Sequence, residues 1–453
     1  MTGPGPTPSS HPPAPSGTAL LLGTLLAVST FNYTDRILLA YFAEPLKREL
    51  LLSDAQLGLL GGLGFALVYT LFGLFIGRLA DRRNRVVIIA VGTIIWSAAT
   101  VACGFATGFA MLLLARAMVG LGEACFLPPT ASLLADRFPP DRRGGAMSVV
   151  QLGSPIALLI AALATFWIGP AWGWRAAFWL IGGAGILAGA AVLLLIRDDR
   201  PARSRAAHVE AGSLWRDMMA VLAVPALRHV IAGGTLALFA MGSIGQFLPP
   251  FFVRSHGLDF GSAALLVGPI QFGAALTGLL IGGYGSDLLA RRDPRWRVWL
   301  PGCGILLGAV AYFVGFSMSA ILPAAIGIGL GGVGLLSYLP PTLSLVQNLV
   351  PAGQRGVAIA VYTLISGIIG TGIGPGLVGW ISDVFAANAF AQGPFASLCP
   401  GGHAVAGTGL DGACRAAAAS GLNGALLCCC AILVWAAAHY FMAARHMRSA
   451  ADA

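Results

Sequence analysis

Long apolar runs are the feature that most restricts this chain. They number twelve, and most last twenty residues or more. A helix of about 20 apolar residues matches the hydrocarbon thickness of a bilayer. Within lipid every backbone N–H and C=O must be bonded inside the protein, so only helices and closed barrels cross it. Barrel strands would show alternating segments of about ten residues, and these runs are continuous. Composition agrees: 57% of the residues are hydrophobic and 10% charged, where a soluble domain carries about 25% charged residues. The fold expected is an all-α membrane protein. Its spans are predicted near 18–44, 53–80, 86–107, 109–137, 144–169, 174–196, 227–254, 262–288, 298–318, 320–349, 355–384 and 419–444.

The formal net charge is +9, and Lys47 is the single lysine. The arginines are not scattered. They fill alternate loops, at Arg82, Arg83 and Arg85, at Arg137, Arg142 and Arg143, at Arg197 to Arg205, at Arg291 to Arg297, at Arg355, and at Arg445 and Arg448. The intervening loops hold little beyond Lys47, Arg48, Arg175, Arg254 and Arg415. By the positive-inside rule the rich set is cytoplasmic. Both termini are then cytoplasmic, and no nucleic-acid role is needed to explain the charge. The division expected is a disordered tail at 1–17, a six-helix bundle at 18–196, a cytoplasmic linker at 197–226, a second six-helix bundle at 227–444, and a tail at 445–453.

The two halves repeat each other. Phe126-Leu127-Pro128-Pro129-Thr130 matches Tyr338-Leu339-Pro340-Pro341-Thr342, and Arg143-Gly144 matches Arg355-Gly356 at the same offset. Gly77, Asp81 and Arg85 match Gly283, Asp287 and Arg291. Two parallel six-helix halves around an axis along the membrane normal describe the major facilitator architecture. The stretch Gly77-Arg-Leu-Ala-Asp81-Arg82-Arg83-Asn84-Arg85 resembles the loop signature of that superfamily. Asn32-Tyr33-Thr34-Asp35-Arg36 and Arg116-Ala-Met-Val-Gly120-Leu-Gly122-Glu123-Ala124 resemble the first and fourth helices of its Spinster family, as do Asp136-Arg137-Phe138 and Arg142-Arg143. The resemblance is good over the first half and only at superfamily level over the second. It departs at Pro128-Pro129, where a polar-small run is more usual. It implies a carrier of lysophospholipid or sphingosine-1-phosphate type, coupled to protons. It also implies that Gly77, Asp81, Arg82, Arg85, Asp136, Arg143, Asp287, Arg291 and Arg355 take part in conformational gating.

Four charges interrupt the apolar runs: Asp35, Arg36, Arg116 and Glu123. Charge at mid-membrane is costly and marks an ion or substrate path. Arg116 and Glu123 stand two helical turns apart and share a face, which is expected to meet Asp35 and Arg36. Two acids and two arginines leave the cluster near neutral. An acid's hold on its proton depends on its burial and on the charges beside it, so breaking a pair during a cycle can load or release a proton. Glu123 is the expected carrier, with Arg36 and Arg116 as switching partners and Asp35 as second candidate. The alternative is that the four only hold helices together. Arg36 and Arg116 also suit a phosphate headgroup. Phe65, Tyr69, Phe126, Tyr338 and Tyr362 are candidates for an apolar wall, and Gln246, Gln271 and Thr363 for polar positions from the second half.

Other signals carry less. Gly327-Ile-Gly329-Leu-Gly-Gly332 spells a nucleotide fingerprint but lies inside a span with no strand before it. A single lysine outside any Gly-rich loop leaves no phosphate-binding P-loop, and no serine-hydrolase elbow or acyltransferase motif occurs, so no enzyme is expected. No spacing suggests a metal or cofactor. Cys399 and Cys414 fall in a polar loop and are disulfide candidates if that loop faces an oxidising compartment. The chain is expected to act as a monomer in a bacterial inner membrane, with the bilayer, an amphiphilic lipid substrate and protons as partners. A facilitator of drugs or small organic anions is the alternative.

Overall fold

The computed structural model describes residues 17–198, 214–351 and 354–447. The tail expected at 1–17 lies outside the described residues except for Gly17. So do 199–213 of the linker and the end of the tail at 445–453. The side chain of Asp81 is likewise outside them.

Ten described helical stretches are long and apolar enough to cross a bilayer. One of them, Arg142–Leu195, is two spans. Its first part runs with the first span, Gly153 lying against Ser29 and Gly169 against Phe42. Its second part runs against the third span, Gly182 lying on Ser97 and Gly189 on Ala90. The chain reverses between them at Gly173, whose φ of 78° is in the region that only glycine enters freely. The helix Thr18–Tyr41, which carries Asp35 and Arg36, completes twelve. The others in order are Asp54–Ala80, Arg85–Cys103, Phe109–Arg137, Pro225–His256, Phe260–Ala290, Trp296–Ser317, Ile321–Asn348, Arg355–Ala389 and Asp411–Ala444. The fold is the expected one: all α among the described residues, with two six-helix bundles.

Boundaries differ where short helices intervene. The first span stops at Tyr41, and Ala43–Glu49 forms a separate helix. The last span begins at Asp411, eight residues before its apolar core, because an Ala-rich turn extends it. The interval expected as a linker contains the helix Leu214–Ala223. The repeated Leu-Pro-Pro-Thr motif has one consequence in both halves. Prolines at the first helical positions, where the missing N–H costs nothing, restart the fourth span at Leu127–Arg137 and the tenth at Leu339–Asn348. The Gly-rich segment before Pro375 forms a π-helix, Ser366–Ile373.

Glycine sets how closely the helices meet. In the ninth and tenth spans a Cβ on Gly308 would lie 2.9 Å from the Gly331 carbonyl oxygen, and one on Gly327 would lie 2.8 Å from Gly315 Cα. The apparent nucleotide fingerprint at 327–332 is part of this seam. Lipid gives helices no hydrophobic drive to associate, so such close backbone contact supplies the attraction.

The halves touch along one end of the molecule and part toward the other. Opposite the arginine-rich loops, the second span packs on the eleventh and the fifth on the eighth, with Phe42 6 Å from Phe260 (5.9 Å between ring centroids). Toward the arginine-rich loops a Cβ on Gly367 would still lie 3.0 Å from Thr70 Oγ1, whereas one on Gly73 or Gly77 would meet nothing within 4 Å. We expect Gly308→Leu to destabilise the protein by about 1–3 kcal/mol through overpacking. Gly329→Ala, whose Cβ would meet only Ile270 at 3.5 Å, should be near neutral. Thermal unfolding of both variants in detergent checks the contrast.

Candidate functional site

The four membrane charges come together where the first, third and fourth spans cross. Two glycines make this possible. A Cβ on Gly120 would lie 2.6 Å from the Phe65 carbonyl oxygen, and one on Gly122 would lie 2.6 Å from Trp96 N. Their absence lets the fourth span press on the second and third at once, carrying Arg116 and Glu123 inward.

Arg36 Nε donates to Glu123 Oε2 at 2.5 Å, and Arg36 Nη2 reaches Asn32 Oδ1 at 3.4 Å. Phe65 and Tyr69 stack on one another and lie 4.6 Å and 4.8 Å from the Arg36 guanidinium, with Tyr33 at 5.4 Å. The pair is lopsided: the Arg36 side chain is 29% exposed and that of Glu123 0%. Asp35 turns the other way and accepts from Thr100 Oγ1 at 3.0 Å. Glu123 Oε1 and Asp35 Oδ1 are buried with no hydrogen-bond partner.

The wiring differs from the expectation in one respect. Arg116 does not join the Glu123 ion pair. Its Nη1 donates to the Asp35 carbonyl oxygen at 3.2 Å and its Nε to the Leu60 carbonyl oxygen at 3.5 Å. Backbone carbonyls at the helix crossing take its N–H groups instead.

Arg36 faces a cavity of about 370 Å³ between the halves. Tyr33, Ile37, Tyr41, Leu158, Met241, Gln246, Gln271, Tyr312 and Leu336 are among its walls. Gln246 and Gln271 are thus placed on the wall, where Tyr41 Oη donates to Gln271 Oε1 at 3.4 Å. Phe65 and Tyr69 flank Arg36 but are not among the residues that line the cavity. The remaining aromatics expected there are elsewhere. Phe126 packs edge-on against Trp96 in the first bundle. Tyr338 and Tyr362 are buried in the second, near Thr342 and Tyr440. Arg116 is 1% exposed and Thr363 is exposed, and neither lines the cavity. Tyr33 and Tyr41 were not singled out beforehand, although Tyr33 sits inside the quoted motif.

At the arginine-rich end, Arg85 is drawn into the first bundle. It donates to Asp198 at 2.6 Å, to Asp136 at 2.6 Å and to the Ser132 carbonyl oxygen at 2.8 Å. Arg143 donates to the Phe138 carbonyl oxygen at 3.0 Å. Arg82, Asp287, Arg291 and Arg355 are exposed. Gly77 makes no close contact with a neighbouring helix, since a Cβ there would meet nothing within 4 Å. Cys399 and Cys414 are bonded, with Cα atoms 5.5 Å apart. Among the described residues no group of His, Cys, Asp and Glu is arranged to hold a metal ion.

The sequence profile of the Major Facilitator Superfamily matches residues 25–375. The chain belongs to that superfamily. This facilitator is 32% identical over 368 residues to an MFS-type efflux pump of Mycolicibacterium smegmatis, covering 80% of this chain and 84% of the pump. It is 27% identical over 391 residues to human protein spinster homolog 1, covering 82% of this chain and 74% of that protein. It is 26% identical over 381 residues to a sphingosine-1-phosphate transporter of Xenopus tropicalis, covering 80% of this chain and 73% of that one. A solved bacterial homolog of the human lysosomal transporter Spinster, inward-facing and unoccupied, superposes with a TM-score of 0.83 at 30% identity, over 95% of this chain and 98% of that one. The facilitator is therefore Spinster-like, and its family and fold are those of membrane transporters rather than enzymes.

Thr100 supplies the side-chain hydrogen bond found on the Asp35 carboxylate. Thr100→Val should cost about 1–3 kcal/mol by leaving a buried acceptor unsatisfied. The same change made in Asp35→Asn should cost less. A double-mutant cycle on thermal unfolding reads the coupling.

Proposed function

We propose that this transporter carries a lysophospholipid or a similar anionic amphiphile by alternating access, driven by protons exchanged at Glu123. The observation that carries the reading is the Arg36–Glu123 pair at the edge of a mainly apolar cavity, with the cation partly exposed and the acid hidden. A phosphate entering the cavity meets a guanidinium already held between rings. It competes with Glu123 for that guanidinium. Protonation of Glu123 removes the competitor, so a proton and an anionic headgroup are taken up together. Ile37, Leu158, Leu335 and Leu336 offer the acyl chain an apolar wall. A sugar would find few polar groups there. The sphingosine-1-phosphate transporter of Xenopus tropicalis supports the same class of solute.

By the positive-inside rule the arginine-rich end is cytoplasmic. The cavity then opens inward, both termini are cytoplasmic, and the carrier works as a monomer in a bacterial inner membrane. The gating set, Gly77, Asp81, Arg82, Arg85, Asp136, Arg143, Asp287, Arg291 and Arg355, would engage when this end closes. A second reading, efflux of drugs or organic anions, is favoured by the Mycolicibacterium smegmatis relative.

The test is uptake of lysophosphatidylglycerol into proteoliposomes with and without an imposed pH gradient. Wild type should respond to the gradient. Glu123→Gln should bind the lipid but transport it only at the rate seen without a gradient. A Glu123→Gln protein that still follows the gradient sinks the proton assignment. Wild type that moves ethidium but no lysolipid favours the efflux reading.

A further inference from the structure

The end of the molecule where the halves meet holds a second ion cluster, which the chemistry above does not use. Asp54, at the start of the second span, is its centre. Its Oδ1 accepts from Lys47 Nζ at 2.6 Å and from Arg254 Nη2 at 2.8 Å. Its Oδ2 accepts from Arg254 Nη1 at 2.7 Å and Ser382 Oγ at 2.7 Å. Arg254 Nε donates to Glu44 at 2.6 Å. The amides of Asp54 and Ala55 donate to the Asp383 carboxylate at 3.0 Å and 2.9 Å. Glu44, Lys47 and Asp54 belong to the first half, and Arg254, Ser382 and Asp383 to the second. The backbones are in contact too, since a side chain on Gly379 would overlap the Asp54 carbonyl and one on Gly58 would overlap Pro375.

A loop of the second half covers this cluster. Between the eleventh and twelfth spans the chain folds back, and the Cys399–Cys414 bond ties the loop to the first turn of the twelfth span. The loop's tip lies on the first half. A Cβ on Gly401 would stand 2.8 Å from the Lys47 carbonyl oxygen, and one on Gly402 would stand 3.6 Å from Lys47 Cε. Gly401 and Gly402 have φ of 66° and 83°, which suits glycine at this approach. Lys47 is left 3% exposed and Asp54 1%. A cavity of about 390 Å³ remains beneath the loop, with Glu44, Lys47, Arg254, His403 and Arg415 among its walls. Ion pairs kept from water are screened far less than exposed ones. The loop therefore strengthens the link between halves without joining it.

We infer that the Asp54 cluster is the gate at this end of the transporter, and that the disulfide-held loop is a latch that keeps it shut. This rests on alternation between two open ends and on neither the lipid nor the proton assignment. Cutting the disulfide frees the loop to lift from Lys47. Water then reaches the cluster, and the population shifts toward the state open at this end and closed at the arginine-rich end.

The test is hydrogen exchange by mass spectrometry on the full chain in nanodiscs, before and after treatment with a water-soluble phosphine. In that step the S–S bond breaks, each sulfur gains a hydrogen, and the phosphine takes the oxygen of one water to become its oxide. The Asp54 and Ala55 amides report the gate directly. They should exchange about tenfold faster after reduction, as loss of a hydrogen bond to a charged group predicts. Exchange should slow beside the arginine-rich loops at the ends of the second, fourth, eighth and tenth spans. Cys399→Ser with Cys414→Ser should reproduce the pattern without reductant, and Asp54→Asn should give it with the disulfide intact. Faster exchange confined to residues 390–411, no change at Asp54 and Ala55, or faster exchange at both ends together overturns the inference. A failure of lysolipid uptake leaves it untouched.

Discussion

A guanidinium inside the hydrocarbon layer needs a counter-charge, and the first bundle is arranged around that requirement. Arg36 finds it in Glu123, 87 residues later in the chain. The bond fixes the first span against the fourth at mid-depth. Gly120 and Gly122 then allow the fourth span to touch the second and third as well. The rings of Phe65 and Tyr69 complete the shell, contributing attraction to the cation where water is scarce. Removing one member of such a buried pair leaves the other uncompensated, a cost of several kcal/mol. The cluster is thus a structural pin. It is also where the cavity acquires its charge, because Arg36 keeps part of its surface open while Glu123 keeps none.

The two halves share a backbone plan but not an interior chemistry. The Leu-Pro-Pro-Thr repeat restarts a helix at the same place in each. Behind that break the first half packs Phe126 on Trp96, whereas the second buries Tyr338 near Tyr362 and Tyr440, with Thr342 and Tyr440 hydroxyls 2.5 Å apart. The cavity inherits the asymmetry. One wall carries a cation; the other carries Gln246 and Gln271 among aliphatic side chains.

Much of this was legible in the chain. Length and polarity of the runs implied twelve crossings, because lipid leaves the backbone no other solution. The paired motifs implied two related halves. The seven-residue step from Arg116 to Glu123 put both on the face that meets Asp35 and Arg36. What was not legible depends on direction and distance. Aromatic identity does not tell cavity from core, so Phe126, Tyr338 and Tyr362 were expected on the wall and lie in the interior. Which arginine takes which carboxylate depends on local carbonyls, and Arg116 settled on those of Asp35 and Leu60. The Asp54 cluster escaped notice for another reason. Lys47 and Arg254 stand at span ends, where single charges usually mark topology, and the partners of Arg254, Glu44 and Asp54, are in the opposite half, 210 and 200 residues away. The available signal was an acid at the start of one span and an arginine at the end of another on the same side.

The two clusters differ in what can replace a lost partner, and that difference suits each to its place. At the molecule's end, water is near. When the halves separate there, Asp54, Lys47 and Arg254 can be rehydrated, so the desolvation cost of their burial is returned as the contacts break. An apolar seam of equal strength would expose hydrocarbon on opening and gain nothing back. At mid-depth the acid is the hidden partner, and Glu123 would be left buried without a counter-charge if Arg36 swung away. A gate built from ions at the molecule's end can give up its contacts to water, whereas the central pair, on the mechanism proposed above, changes partners when solute and proton arrive.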